Sequence, residues 1–491
     1  MKNSAPRIPL GGSTIVIFVV VSFVSLAFLI LSGGNIIAAF VPTIALAAGV
    51  LLFSLPLRVS VLAFFAVALL FHNPAALPMA GKWKGPLYTL GPILYENLNT
   101  ITGVGALKFN LIQLVTLLFL FIATVRTLLR SNIDQQLTIR AVRVQQIASI
   151  VSLTAAIFFI TWGILRGGNK QLIPLQAKAF IFTPLFTILF MRAFKSEKIF
   201  RLAGKLLVAI AVIRVLEGTF FYYAIAARQG MFVEYVMTHN DTVLFTVTIS
   251  ILMLNYLEYR DRKSLKNLLI CGGIIMWGII INDRRAAFVS VAACIFFMYF
   301  FIAPALRKKI NRLMLISAPV LILYVGIGMK SESKIFAPVH AFTSVADTKD
   351  ASNQSRDIEN LNLLYSVSLT PVIGTGFGFP YSEITPAVPL PYDFYKYLAH
   401  NQILWVAYLT GAVGFFLLWL PLSLGCFYAF RCHKYATTPT QRITALSTVC
   451  IVIAYMMQTF ADMGCSGTVT NVILGSSLAM VANMANKLNA A

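Results

Sequence analysis

The chain has 491 residues, 58% hydrophobic and only 11% charged, where an ordinary soluble domain carries about a quarter charged residues, so a water-soluble globular protein is excluded. A net charge of +22 would suggest a nucleic-acid partner in a soluble protein, but here the basic residues fall mainly in the links between apolar runs, where they set membrane topology, and no nucleic acid is expected. The six cysteines lie in or beside apolar segments without paired spacing, which argues against a disulfide framework or a metal site.

In chain order, apolar runs near the ~20-residue length that crosses a ~30 Å hydrocarbon core predict fourteen spans. They lie at 13–32, 35–55, 57–72, 109–128, 147–165, 179–192, 203–225, 241–259, 267–282, 286–305, 313–328, 401–430, 442–461 and 467–485. The first run follows a short polar start with no small-residue cleavage site, so it is expected to remain as a helix. The expected fold is an all-α polytopic membrane protein with one membrane domain. Helices 1–11 occupy 1–328, a large outer loop with short amphipathic helices occupies 329–400, and helices 12–14 occupy 401–491.

With the N-terminus inside, about 24 of the 39 basic residues fall on the inner side, including Arg260, Arg262, Lys263, Arg307 and Lys308, although the outer loops are longer. Only Asp134, Glu197, Glu258 and Asp261 join them among the acids, and both termini are expected in the cytoplasm. No internal repeat is visible, so a transporter built from inverted halves is unsupported.

Two outer stretches are too long for simple turns: His72–Lys108, rich in Pro and Gly, and Gly328–His400. Within the second, Asn353–Val367 has a polar start and apolar Ile358, Leu361, Leu364 and Tyr365, a pattern that predicts an amphipathic helix at the membrane surface, stopped by Pro371.

Several residues stand out against this background. His400 and Asn401 lie where the long outer loop enters the next apolar run, a place where an imidazole meets both water and a fixed scaffold and can take a proton near neutral pH; a simple His-Asn helix cap is the competing reading. Upstream, PVIGTGFGF alternates Gly374, Gly376 and Gly378, so backbone amides could face a phosphate or sugar, or the stretch could be a plain turn.

Arg284 and Arg285 sit on the outer rim, against the topology rule, which suggests an anion-binding role; pairing with Asp283 or snorkelling would also account for them. Arg214 and Glu217 interrupt an apolar helix three residues apart, marking either a functional site or a structural ion pair. Arg356, beside Asp357 and Glu359, and the outer Glu383, Asp393, Lys396, His239 and His340 complete the candidates, most of them more simply read as solvated or interfacial residues.

Taken in order, an intramembrane Arg214, an outer-rim Arg284-Arg285, Arg356 ahead of P-x-x-G-x-G-x-G, and H-N-x(9)-G-x-x-G at His400 resemble the O-antigen ligase and O-antigen polymerase superfamily of bacterial envelope glycosyltransferases. The likeness is strongest over Ser352–Phe416. It implies a multi-pass protein of the bacterial inner membrane whose large loop is periplasmic. The substrate it implies is a glycan carried on undecaprenyl pyrophosphate, transferred to an acceptor glycan or glycolipid in contact with membrane lipid, with no cofactor or metal.

By the same resemblance, His400 matches the family's essential histidine, and Arg285 or Arg284, with Arg214, match arginines that hold the pyrophosphate; Arg356, Asn401, Gly374, Gly376 and Glu217 are candidate substrate contacts. Asp283 stands where the family often has a small residue, and the fourteen predicted spans exceed the twelve typical of ligases. The second departure leans toward a polymerase of O-antigen, capsule or exopolysaccharide units, with a chain-length regulator as a possible partner. Transfer to a lipid A-core acceptor by a ligase is the alternative. A polysaccharide transporter or flippase would explain many helices but not the long outer loop, and a scaffold would leave Arg214 without a reason.

Overall fold

The computed structural model describes residues 12–34, 36–72, 86–103, 109–129, 140–230, 236–302, 304–331, 333–345, 350–386 and 395–488. Among these the chain is helical, with short 3-10 and π turns and an isolated bridge between Asn97 and Asn110 as the sole extended pairing. It divides into two compact units.

The first unit holds α1 (Gly12–Leu31), α2 (Ile36–Ser54), the start of α3 (Leu57–Leu70), α4 (Pro86–Tyr95), α5 (Leu98–Thr102) and α6 (Leu111–Leu129). In it, α1 packs on α2, and Arg126 at the end of α6 donates to the carbonyl of Leu55 at 2.8 Å.

The second unit takes the rest of α3 and then α7 (Arg140–Leu165), α8 (Ile173–Ala193), α9 (Glu197–Phe220), α10 (His239–Tyr259), α11 (Arg262–Asn282), α12 (Arg285–Phe301), α13 (Pro304–Gly328), α14 (Ala337–Val345), α15 (Ala351–Leu369), α16 (Gln402–Tyr435), α17 (Pro439–Ala461) and α18 (Thr468–Leu488). Local chemistry sets several starts. Thr238 with Asp241 and Thr438 with Gln441 form reciprocal caps that satisfy orphan amides of α10 and α17, and Asp261 caps α11.

The core lies along α18, whose most apolar stretch is 94% buried among α7, α8, α16 and α17. Small residues let this happen: a side chain at Gly475 would meet Phe186 of α8, and one at Gly425 would meet Leu478.

A helix occupies each of the fourteen predicted segments. Among the described residues, nine helices (α6, α7, α8, α10, α11, α13, α16, α17 and α18) are long and apolar enough to cross a membrane. α12 is apolar but only 17 residues long, and α9 is interrupted by Lys205, Arg214 and Glu217.

The polar segment after α13 is largely helical. α15 covers the predicted amphipathic stretch and extends beyond it at both ends. Its orientation inverts the soluble pattern: Leu361, Leu364 and Tyr365 are exposed, whereas Glu359, Asn362 and Ser366 are buried with Leu363. The buried amide of Asn362 receives the backbone amides of Ile384 and Thr385 at 2.9 and 3.1 Å and donates to the Thr385 carbonyl, so this polar edge fastens the returning chain.

Candidate functional site

Three helix ends and one helix face converge on a cavity of about 280 Å³. α12 begins there with Arg285, α16 begins there just after His400 and Asn401, and α17 ends there with Met457, Phe460 and Ala461. α15 contributes Asn353, Arg356, Asp357 and Asn360, spaced as one helical face. The N-terminal amides of α12 and α16 add positive potential to that of the two guanidiniums.

A sharp turn decides which outer-rim arginine reaches the cavity. Asp283 ends α11 in the left-handed region at φ 48°, and Arg284 caps α12 in extended backbone, so the two side chains diverge. Arg284 turns inward, 9% exposed, and donates to Asp462 Oδ2 at 3.0 Å beside His239. Arg285 is 40% exposed, lines the cavity and donates to Asp350 Oδ2 at 2.6 Å. That hydrogen bond holds the Asp350 carboxyl below its ordinary pKa, while the other Asp350 oxygen caps α15 at Asn353. The carboxylate thus ties the arginine of α12 to the start of α15.

Arg356 carries no ion pair among the described residues. Its charge acts on Asp462. Burial pushes that carboxyl up in pKa, but the hydrogen bond to His239 and the charges of His239, Arg284 and Arg356 outweigh burial and hold it below its ordinary value.

His400 is gripped from two sides. Its main-chain amide donates to Glu359 Oε2 at 3.0 Å, and its ring Nδ1 lies 3.3 Å from Glu359 Oε1. Its carbonyl accepts from Gln402 and from Met463, which is itself left-handed at φ 54°. Asn401 does cap α16, accepting from Leu404 at 3.3 Å, and its amide also donates to Asn360 Oδ1 at 2.8 Å. The capping reading and the cavity-lining position therefore coexist.

Other sequence candidates lie elsewhere. Arg214 is 1% exposed, with Nε and Nη2 donating to the two oxygens of Asp241 at 3.1 and 3.2 Å and Nη1 to Glu217 at 2.9 Å. Neither Arg214 nor Glu217 lines the cavity.

The expectation that the Gly374 and Gly376 amides face a ligand is corrected. They donate to the carbonyls of Thr370 and Leu409 at 3.1 and 2.7 Å. A side chain at Gly376 would strike the backbone of Gly163 in α7, and α16 opens at Gly411 (φ 61°, ψ −172°) to receive Pro371 and Val372. These glycines serve backbone-to-backbone packing.

His340 bonds the Ser331 carbonyl and Lys396 pairs with Glu383, all away from the cavity; Asp393 lies outside the described residues. Sequence reasoning named Glu359 only as a neighbour of Arg356 and passed over Asp350, Asn353, Asn360 and Asp462. For Asn353 and Asn360 the helical spacing around Arg356 was the available signal.

Residues 230–419 match the family model described as O-antigen ligase. The match supports the O-antigen ligase and polymerase superfamily, spans α10–α15 and the first half of α16, and includes Arg285, Arg356, Glu359 and His400 but not Arg214 or Asp462. No curated protein matches the chain.

Proposed function

On the strength of that match, we propose that this multi-pass membrane protein is a glycosyltransferase that polymerises oligosaccharide units carried on undecaprenyl pyrophosphate. The observation that carries the reading is the cavity in which an imidazole, His400, meets two cations, Arg285 and Arg356. The guanidiniums suit a diphosphate: their planar donors match phosphate oxygens, and charge grows on those oxygens as the glycosidic bond breaks. His400 stands where it can take the proton of an attacking acceptor hydroxyl.

The amides of Asn353, Asn360 and Asn401 suit sugar hydroxyls, since each both donates and accepts. Val289, Met457 and Phe460 add apolar lining, which suits the first part of a prenyl chain held by membrane lipid. A base and two cations in one cavity favour an enzyme over a transporter, and in this reading the guanidiniums stabilise the leaving diphosphate without a metal.

In this reading the fourteen segments cross a bacterial inner membrane, both termini are cytoplasmic, and the cavity opens to the periplasm near the lipid headgroups. α15 then lies at that surface with Leu361 and Leu364 toward lipid. A chain-length regulator remains a proposed partner.

The matched family's description favours a second reading, transfer of a finished glycan to a lipid acceptor. A strain lacking the protein separates the two: single units on the final acceptor mean a lost polymerase, and long chains left on the carrier lipid mean a lost ligase. Replacing His400 by Ala is expected to abolish product chains on a glycan gel while lipid-linked units still reach the outer face. Normal chain lengths with that variant would sink the enzyme reading.

A further inference from the structure

Resting on the reading of His400 as the base, we propose that Glu359 is the positioning residue that decides which ring nitrogen of His400 takes the proton. One carboxylate holds two donors of the same residue, the main-chain amide through Oε2 at 3.0 Å and the ring Nδ1 through Oε1 at 3.3 Å. Its side chain is only 6% exposed, against 23% for His400. Glu359 lines the same cavity, and each of its oxygens contacts His400, so its carboxylate acts through the imidazole.

A carboxylate only accepts hydrogen bonds, so Nδ1 carries the hydrogen and the lone pair of the neutral ring lies on Nε2. The main-chain bond fixes where the residue starts and the ring bond fixes which way it turns. On the opposite side, the Met463 amide holds the His400 carbonyl at 3.2 Å. Imidazole orientation therefore does not depend on bound substrate.

In the transfer step the acceptor O–H bond breaks and its proton passes to Nε2. The acceptor oxygen bonds to the anomeric carbon, and the bond from that carbon to the phosphate oxygen breaks, with its electron pair leaving on the diphosphate. The imidazolium formed then lies against the Glu359 carboxylate, which stabilises it until the proton is lost to water.

Glutamine is the informative substitution because it keeps shape but offers one acceptor and one donor. If its NH2 group faces Nδ1, the ring hydrogen is forced onto Nε2 and the base is lost. For Glu359→Gln, turnover is expected to fall about 10²–10⁴-fold. The KM for lipid-linked glycan, extracted from membranes of a strain lacking the protein, should stay within about threefold, as expected when only transition-state help is removed. Glu359→Asp should recover part of the turnover. Ring-¹⁵N-histidine spectra should show the Nδ1–H tautomer at His400 in the parent protein and its loss in Glu359→Gln.

Full turnover in Glu359→Gln, an unchanged ring tautomer, or a loss confined to KM would overturn the inference. If Glu359→Gln does not accumulate in membranes, Glu359→Asp carries the test: lowered turnover at constant KM supports the role, and parent-level turnover overturns it. His400→Gln separates this from the underlying reading. An active His400→Gln means that His400 is not the base, whereas an inactive His400→Gln beside an active Glu359→Gln removes only the role of Glu359.

Discussion

Arg214 in α9 and Arg356 in α15 are both arginines on helices of the second unit, but their surroundings are opposite. Arg214 is buried, and its guanidinium donates to both oxygens of Asp241 and to one of Glu217. Arg356 lines an open cavity beside Arg285 and His400 without an ion pair among the described residues. An arginine in an apolar segment has already met its desolvation cost by recruiting carboxylates, and such a pair leaves few donors for a ligand. An arginine that keeps its donors toward a cavity has them to offer. The difference between the two clusters lies in neutralisation rather than in the number of charges.

The comparison can be broken first at Arg214. Replacing it by Leu strands the buried Asp241 carboxylate, which also accepts from Thr238, and is expected to cost about 3–5 kcal/mol and remove most of the protein from the membrane. Membrane abundance and thermal unfolding in detergent measure this, and a folded but inactive variant would place Arg214 with the cavity residues instead.

Arg285→Ala and Arg356→Ala should do the reverse. Abundance should hold, while turnover drops about 10²–10³-fold for Arg285 and less for Arg356, by the magnitude typical of one lost transition-state donor. Equal loss of abundance in all three variants would erase the distinction.

The smallest effect is expected at Asp350, whose pairing with Arg285 competes with any incoming anion. Asp350→Asn retains a cap for α15 but frees Arg285, so a few-fold lower KM for lipid-linked glycan is expected. Because the folded Asp350 pKa is depressed, the pair is present above the ordinary carboxylate pKa near ~3.9 and is lost only as pH falls through the lower folded value. Between pH 5 and 8 the KM advantage of the variant should therefore stay constant; a KM ratio that changes over that range would show that Asp350 is not the competing group.

Apolar run length alone located a helix in every predicted segment, because a single run of about 20 apolar residues in lipid satisfies its own backbone hydrogen bonds only as a helix. The junction at His400–Asn401 and the amphipathic helix around Arg356 were also legible, the first from a polar pair ahead of an apolar run and the second from its period. Tertiary structure decided the rest. The turn at Asp283 sends Arg284 inward and Arg285 to the cavity, a choice set by backbone direction at adjacent positions.

Glu359 meets His400 across 41 residues only because α15 packs on the start of α16, and its neighbours in sequence gave no sign of that pairing. The glycine-rich stretch looked like a ligand cradle because close approach by another backbone needs the same missing side chain. Composition and period are local properties and can be read along the chain. Which donors are already taken depends on residues far apart in sequence, and only the folded chain brings those together.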